Sequence, residues 1–204
     1  TDAIAAATPA VHDALVAGQD REFIGLLAWP NLHACRQLVG NPDATFEDVI
    51  RHPDVIGCVK RGLEAHNAST TGSIGLNLDA RETVPGAFVY TDPTTYNSST
   101  AMTVFDSLGN SHVLTLYFHK DAASDWQVYT GLDGAAPAPV GGTALTFTSA
   151  GAVNTGGSIA TSFALTNGAT SPLAVTLDLT AATQFGATFG VNSMTQDGYT
   201  SGRL

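Results

Sequence analysis

The sequence predicts a mainly β protein: a flattened β-barrel or sandwich of about eight strands over residues 70–190, preceded by a small α+β segment over 1–68. Three observations carry this. Leu173–Leu179 alternates strictly, with Leu173, Val175, Leu177 and Leu179 on one face and Ala174, Thr176 and Asp178 on the other, the pattern of a sheet with one wet face. Thr100–Phe118 reads as two strands joined by a tight turn, and in its second arm Leu114, Leu116 and Phe118 oppose Val113, Thr115 and Tyr117. Texture also changes abruptly near Asn67–Thr70. Before it the chain is rich in Ala, Leu and charge, and after it in Thr, Ser, Gly and Asn, hydroxyls and small residues suited to strands and turns.

In chain order, Val11–Val16 and Phe23–Trp29 flank Gly18-Gln19-Asp20-Arg21 as a hairpin that Pro30 ends. Asn31 caps a helix over Leu32–Val39 that Gly40 stops. Thr45 caps a second short helix, with Glu47 and Asp48 in its positive first turn. Val55, Ile56, Val59 and Leu63 recur at helical spacing and predict a third helix from Pro53 to about His66. The front therefore reads ββααα.

Beyond Thr70, Ile74–Leu78 reads as an edge strand and Ala87–Tyr90 as another, separated by Pro85-Gly86. The hairpin turn falls at Ser107-Leu108-Gly109-Asn110, where Gly109 and Asn110 both tolerate positive φ. Trp126–Thr130 is a strand closed by Leu132-Asp133-Gly134, and Ala135–Gly142 is a proline-glycine loop that cannot be central strand. Thr143–Thr148, with Leu145 and Phe147 on one face, Ile159–Leu165 and Leu173–Leu179 complete the set.

Composition sets the outer bounds. At 204 residues the chain is one large all-β domain or two smaller ones, and 44% apolar residues suffice for a core. The net charge of −10 opposes a nucleic-acid partner by repelling phosphate. It divides as nine acids against five bases up to Ser69 (−4) and nine against three beyond it (−6). No run of 18 or more apolar residues predicts a membrane span, and no basic leader precedes the apolar N-terminal stretch as in a secretory signal peptide. Cys35 and Cys58 allow one disulfide or two buried thiols, and the frequent burial of free cysteine favours the thiols.

Several groups invite a chemical reading. Asp106, Ser107 and His112 have the residue types of a triad, but Asp and Ser beside a turn ordinarily bond local backbone amides. His112 and His119, seven apart on one strand, point to opposite faces. His33 and Cys35, split by one residue, lie on different sides of a helix, and zinc needs better spacing and more ligands. Asp133, Asp178 and Asp197 do not fall in the alternating pattern of a calcium loop. Asn67 and Asn97 match the glycosylation acceptor pattern, which arises by chance. Trp126 and Tyr129 lack the interleaved basic residues of a stacking platform for bases. No catalytic residue, cofactor site or metal site is assigned.

Two resemblances extend this reading. AVHDALVAGQDREFIGLLAWPNLHACRQL and HPDVIGCVKRGLEAHNA, within Ala3–Asn67, resemble part of the C-terminal subdomain of feruloyl-CoA synthetases, adenylate-forming ligases. That family adenylates with a phosphate loop and a lysine in a Lys-Gly stretch. Neither occurs here, so the groups that would neutralise phosphate charge are missing and no activity is expected by that route. From about Thr70 to Leu204, MTVFDSLGNSHVLTLYF and PLAVTLDLTAATQFGATFGVNSMTQDGYTSGRL resemble the middle of bacterial flagellar hook proteins.

The second resemblance implies a hook-type outer β-domain over 69–188 and the first part of a return to an inner domain over 189–204, behind the α+β segment at 1–68. It implies a structural, extracellular role among other hook subunits. The terminal helical segments that lock subunits into the tube are not among these residues, so the isolated fragment is expected to be monomeric. Both resemblances stop near Asn67–Thr70, which describes the polypeptide as a chimera of two unrelated fragments.

Overall fold

The structure, a computed structural model, describes residues 8–17 and 25–200. The expected turn at Gly18–Arg21 and the closing Ser201–Leu204 lie outside the described residues. The chain divides into two compact units. Among the described residues, one holds 8–17 and 25–68 with Phe105–Asn110 and Tyr199, the other Ser69–Val104 with Ser111–Gly198.

The first unit follows its capping signals. Strands β1 (Val11–Ala17) and β2 (Gly25–Pro30) pair antiparallel, with an irregularity between Val11 and Asp13. The side chain of Asn31 accepts from the Ala34 amide at 3.2 Å and starts helix α1 (Leu32–Val39). Gly40, at φ 71°, ends that helix by donating back to Arg36 and Gln37. Thr45 and Asp48 form a reciprocal capping box at the start of α2 (Phe46–Arg51). Helix α3 (Pro53–Asn67) begins on Pro53, whose missing N–H costs nothing at that position. The core is small: Ala10, Cys35, Ala44, Val49 and Val55, with Val11 and Ala14 in a separate cluster. Of the residues that recur at helical spacing along α3, Val55 is buried and Ile56 is 54% exposed. Tyr199 stacks on His66 with ring centroids 4.7 Å apart, and its amide donates to the Asn67 carbonyl.

The second unit is a two-sheet sandwich, and among the described residues neither sheet closes into a barrel. One sheet is the antiparallel meander β4 (Ser98–Phe105), β5 (Ser111–Lys120), β6 (Asp125–Leu132), β7 (Thr143–Phe147) and β8 (Val153–Thr155). The other is built around β3 (Thr71–Asp79), with β9 (Ser158–Phe163), β10 (Leu173–Asp178), β11 (Thr183–Phe185) and β12 (Gly190–Gln196). Strand β3 is central rather than an edge. It pairs parallel with β10 through Thr71–Ser73, parallel with β11 through Asn77–Asp79, and antiparallel with β12 through Gly72–Asn77.

The inner faces supply one continuous core. Ile74, Leu76 and Leu78 of β3, Leu173, Val175 and Leu177 of β10, Leu114, Leu116 and Phe118 of β5, and Trp126 of β6 are all buried in it. The exposed partners on β10 are the ones its alternation names. At the β4–β5 turn only Gly109 takes positive φ, at 76°. Asn110 contributes its side chain instead, donating to Asp106 at 2.9 Å. Gly156, at φ 77° before β9, also meets a packing demand, because a Cβ there would sit 1.9 Å from the Ala144 carbonyl oxygen.

The strand expected at Ala87–Tyr90 does not form; that stretch belongs to an irregular segment between β3 and β4. Strands β8, β11 and β12 were not expected from sequence. No helix among the described residues is long and apolar enough to cross a membrane.

The alternation of β10 sets a direct test. Leu177→Ala, at a site with no exposure, should cost about 2–5 kcal/mol in denaturant unfolding. Ala174→Ser on the exposed face of the same strand should stay within about 0.5 kcal/mol.

Candidate functional surface

Strand β5 obeys its alternation up to Leu116 and then departs from it: Tyr117, Phe118, His119 and Lys120 are all buried. The cause is the irregular segment from Ala80 to Asn97, which lies as a strap against the outer face of this sheet. Phe88 stacks on Tyr129 at 3.8 Å between centroids and meets Tyr117 edge-on at 5.7 Å. Tyr96 packs edge-on against Tyr117 at 5.0 Å. This explains why Ala87–Tyr90 is not a strand: its aromatic side chain caps a sheet face rather than extending a ladder.

Polar bonds fasten the same strap. Lys120 is 3% exposed, and its ammonium donates to the carbonyls of Ala80 at 2.7 Å and Glu82 at 2.8 Å. It also lies 5.4 Å from the centroid of the Trp126 ring. His119 bridges Asp121, at 2.9 Å from Nδ1, and the Gly86 carbonyl, at 2.9 Å from Nε2. Asn97 accepts from the Lys120 amide and donates to the Thr83 carbonyl, so its amide group is committed to the fold. Where the strap leaves β3, Arg81 forms paired bonds to Asp79 at 2.9 and 2.7 Å. Those side-chain bonds, the Arg81 amide and the guanidinium charge hold the Asp79 carboxyl down to about 2.

The residues singled out from sequence are dispersed among separate structural tasks. Asp106 is buried and accepts from Leu108 N, Asn110 N and Asn110 Nδ2 at 2.8–2.9 Å, so it caps its turn. His112 pairs with a different acid, Asp133, at 2.7 Å. Burial raises the Asp133 carboxyl, but the bonds from His112 and the Val113 amide outweigh it and hold the group below the usual range. His112 and His119 therefore serve different partners along β5. His33 is exposed against Gln37, while Cys35 is buried with its thiol donating to the Ala10 carbonyl.

Both cysteines are free, as the reading of two thiols expected, although Cys58 is only half-buried. Burial, and then the neighbouring Cys58, push the Cys35 thiol up, which works against a reactive thiolate. Asp178 is held low by the hydroxyl and amide of Thr180 in a local turn. Trp126 is core, with its Nε1 donating to Gln184 at 2.9 Å, and Asn67 closes α3. Burial pushes the Tyr117 and Tyr129 phenols up. Among the described residues no three of His, Cys, Asp and Glu converge as a metal site.

Sequence reasoning passed over two features. One is the strap, whose fastening residues are scattered over Asp79–Tyr129. The other is the contact between Ser69–Thr71 and Gln196–Gly198. There Asp197 Oδ1 accepts from the Thr70 and Thr71 amides at 2.8 and 2.9 Å, and Oδ2 accepts from both hydroxyls. Burial raises this carboxyl, but the Thr70 and Thr71 donors more than compensate and hold it low. The only sequence signal was the place of Asp197 in the closing motif.

A sandwich whose buried polar side chains fasten its own loops, and whose outer faces carry small hydroxyls, has the design of a structural β-domain. The family model described as "Flagellar basal body protein FlaE D2 domain" matches residues 77–199, more than half of the chain, and the chain belongs to that family. It is 35% identical over 150 residues to the flagellar hook protein FlgE of Salmonella typhimurium, covering 70% of this chain and 36% of that protein, and equally to that of Salmonella typhi. The Escherichia coli K12 hook protein FlgE is 39% identical over 70 residues, 33% of this chain and 17% of that protein. A crystal structure of the Helicobacter pylori hook protein FlgE2 aligns over 50% of this chain and 25% of its own, with TM-score 0.35 and 14% identity. The chain spans about a third of the length of the Salmonella relatives. None of these relatives supports a ligase reading of residues 3–67.

Two outcomes test the strap. Phe88→Ala should cost about 1–2 kcal/mol, because it removes a stacked pair and uncovers Tyr117. Asp79 is depressed to about 2 in the folded state against about 3.9 unfolded, so its contribution is present above pH 4 and lost as pH falls toward 2. The gap in melting temperature between the natural chain and Asp79→Asn, followed by circular dichroism, should be constant from pH 7 to 5 and narrow below pH 4.

Proposed function

We propose that this chain is a structural piece of a bacterial flagellar hook. Its β-sandwich is an outer domain, exposed on an extracellular tubular assembly, that touches its copies in neighbouring subunits. The observation that carries this is the family match over residues 77–199 on a rigid sandwich. The exposed positions of its strands include Thr103, Thr155, Ser162, Thr176, Ser193 and Thr195. Such hydroxyls make weak, adaptable contacts and lose little side-chain freedom, which suits surfaces that slide as a tube bends. In this reading the outer domain spans 69–188, the return path begins at 189 as β12, and the front unit at 1–68 is a passive passenger of separate origin. The chain does no chemistry of its own, and its partners are other hook subunits.

Replacing the matched segment of the Salmonella typhimurium hook protein with residues 70–199, in a strain lacking its own hook protein, should restore hooks and swimming. A hybrid that is exported and stable yet builds no hooks would refute the assignment. ATP-dependent acyl-adenylate formation by the full chain should be undetectable.

A further inference from the structure

The place where the chain enters and leaves the sandwich is built unlike the rest of it. Ser69, Thr70 and Thr71 lie beside Gln196, Asp197 and Gly198, more than 120 residues later, and all six are polar or glycine. The apolar core begins only at Ile74 on the entering side and at the half-buried Met194 on the leaving side. Side chains make the join. Asp197 takes four bonds from two consecutive threonines, using both oxygens. Ser69 Oγ donates to Gln196 Oε1 at 2.7 Å, and that oxygen also accepts from the Gly198 amide. One backbone bond, Asp197 N to Thr71 O, is long at 3.3 Å.

At this join Thr70, Thr71 and Asp197 are exposed, Ser69 and Gly198 are buried, the Thr70 carbonyl accepts from Thr176 of β10, and no residue of the apolar core is included. Strand ends held by partly exposed polar bonds open with free energies well below that of global unfolding. We propose that Ser69–Thr71 and Gln196–Gly198 form a latch closed by the Asp197 carboxylate, and that its release lets the two strands part locally while the sandwich stays folded. The latch is a conformational device of the β-unit and does not depend on the hook assignment.

The test is amide hydrogen exchange on the full chain with Asp197→Ala. The informative amides are those of Asp197 and Gly198, because their acceptors, the Thr71 carbonyl and the Gln196 side chain, survive the substitution. Their exchange should rise at least tenfold, while the amides of Leu116 and Leu177 in the core strands stay unchanged. The double variant Thr70→Val/Thr71→Val, which keeps shape and the carboxylate but removes both hydroxyl donors, should give a smaller rise at the same two amides. Unchanged exchange at Asp197 and Gly198 would overturn the latch. So would an equal acceleration at Leu116 and Leu177, or a chain that no longer folds, since either makes the carboxylate a global support.

Discussion

A pleated ribbon with one apolar face is stable only when that face is covered, and in the larger unit each sheet covers the other. Leu114, Leu116 and Phe118 on one side and Ile74, Leu76 and Leu177 on the other share one buried core. The polar alternates of the same strands then face water, and the surface acquires its hydroxyls without further selection. Strand β3 lies at the centre of its sheet, paired with β10, β11 and β12. Once β3 is central, the last strand, β12, closes its second edge, and the chain leaves the sandwich beside the point at which it entered. The Asp197 contact follows from that topology, which brings together residues far apart in sequence.

The strap shows how such a unit meets the polar demands of the ionisable groups it buries. A buried ammonium is costly unless its three donors and its charge are met. Lys120 meets two carbonyls and the indole face of Trp126, and all of these are fixed by the strands and strap themselves. The aromatic stack of Phe88 on Tyr129 excludes water over the same region, so the outer face of β5 changes from wet to dry along its length.

What was legible in the sequence was local. The strict alternation of Leu173–Leu179, the caps at Asn31 and Thr45, and the aspartate turn at Asp106 each depend on residues within a few positions of one another, and the structure reproduces them. The misreadings arise where a partner distant in sequence decides. Ile74–Leu78 reads as an edge strand, but its partners β10, β11 and β12 all lie about 100 or more residues later and make it central. Gly72 packs closely there: a Cβ would sit 2.8 Å from the terminal methyl of Met102, so that flexible side chain would have to shift. Ala87–Tyr90 has the apolar content of a strand, but Phe88 uses it for stacking. Strands β11 and β12 are short or polar, and their ladders come from β3 more than 100 residues earlier. The role of Asp197 was hidden for the same reason.

The direction of the carboxylate shifts bears on contact against chemistry. An acid–base centre pushes neighbouring ionisable groups apart, raising one carboxyl toward neutrality while its partner stays charged. In the sandwich the carboxyls of Asp79, Asp92, Asp133, Asp178 and Asp197 are all held below the usual range, and hydrogen-bond donors hold each of them there. Asp92 and Asp178 answer to a threonine two positions on, Asp79 to Arg81, Asp133 to His112 and Val113, and Asp197 to Thr70 and Thr71. A carboxylate stabilised in its charged form by fixed donors is a poor proton donor and a weak base at neutral pH. It is a good fastener. These side chains therefore stabilise loops and strand ends, which leaves the sandwich rigid and its hydroxyl-lined faces free to make contacts.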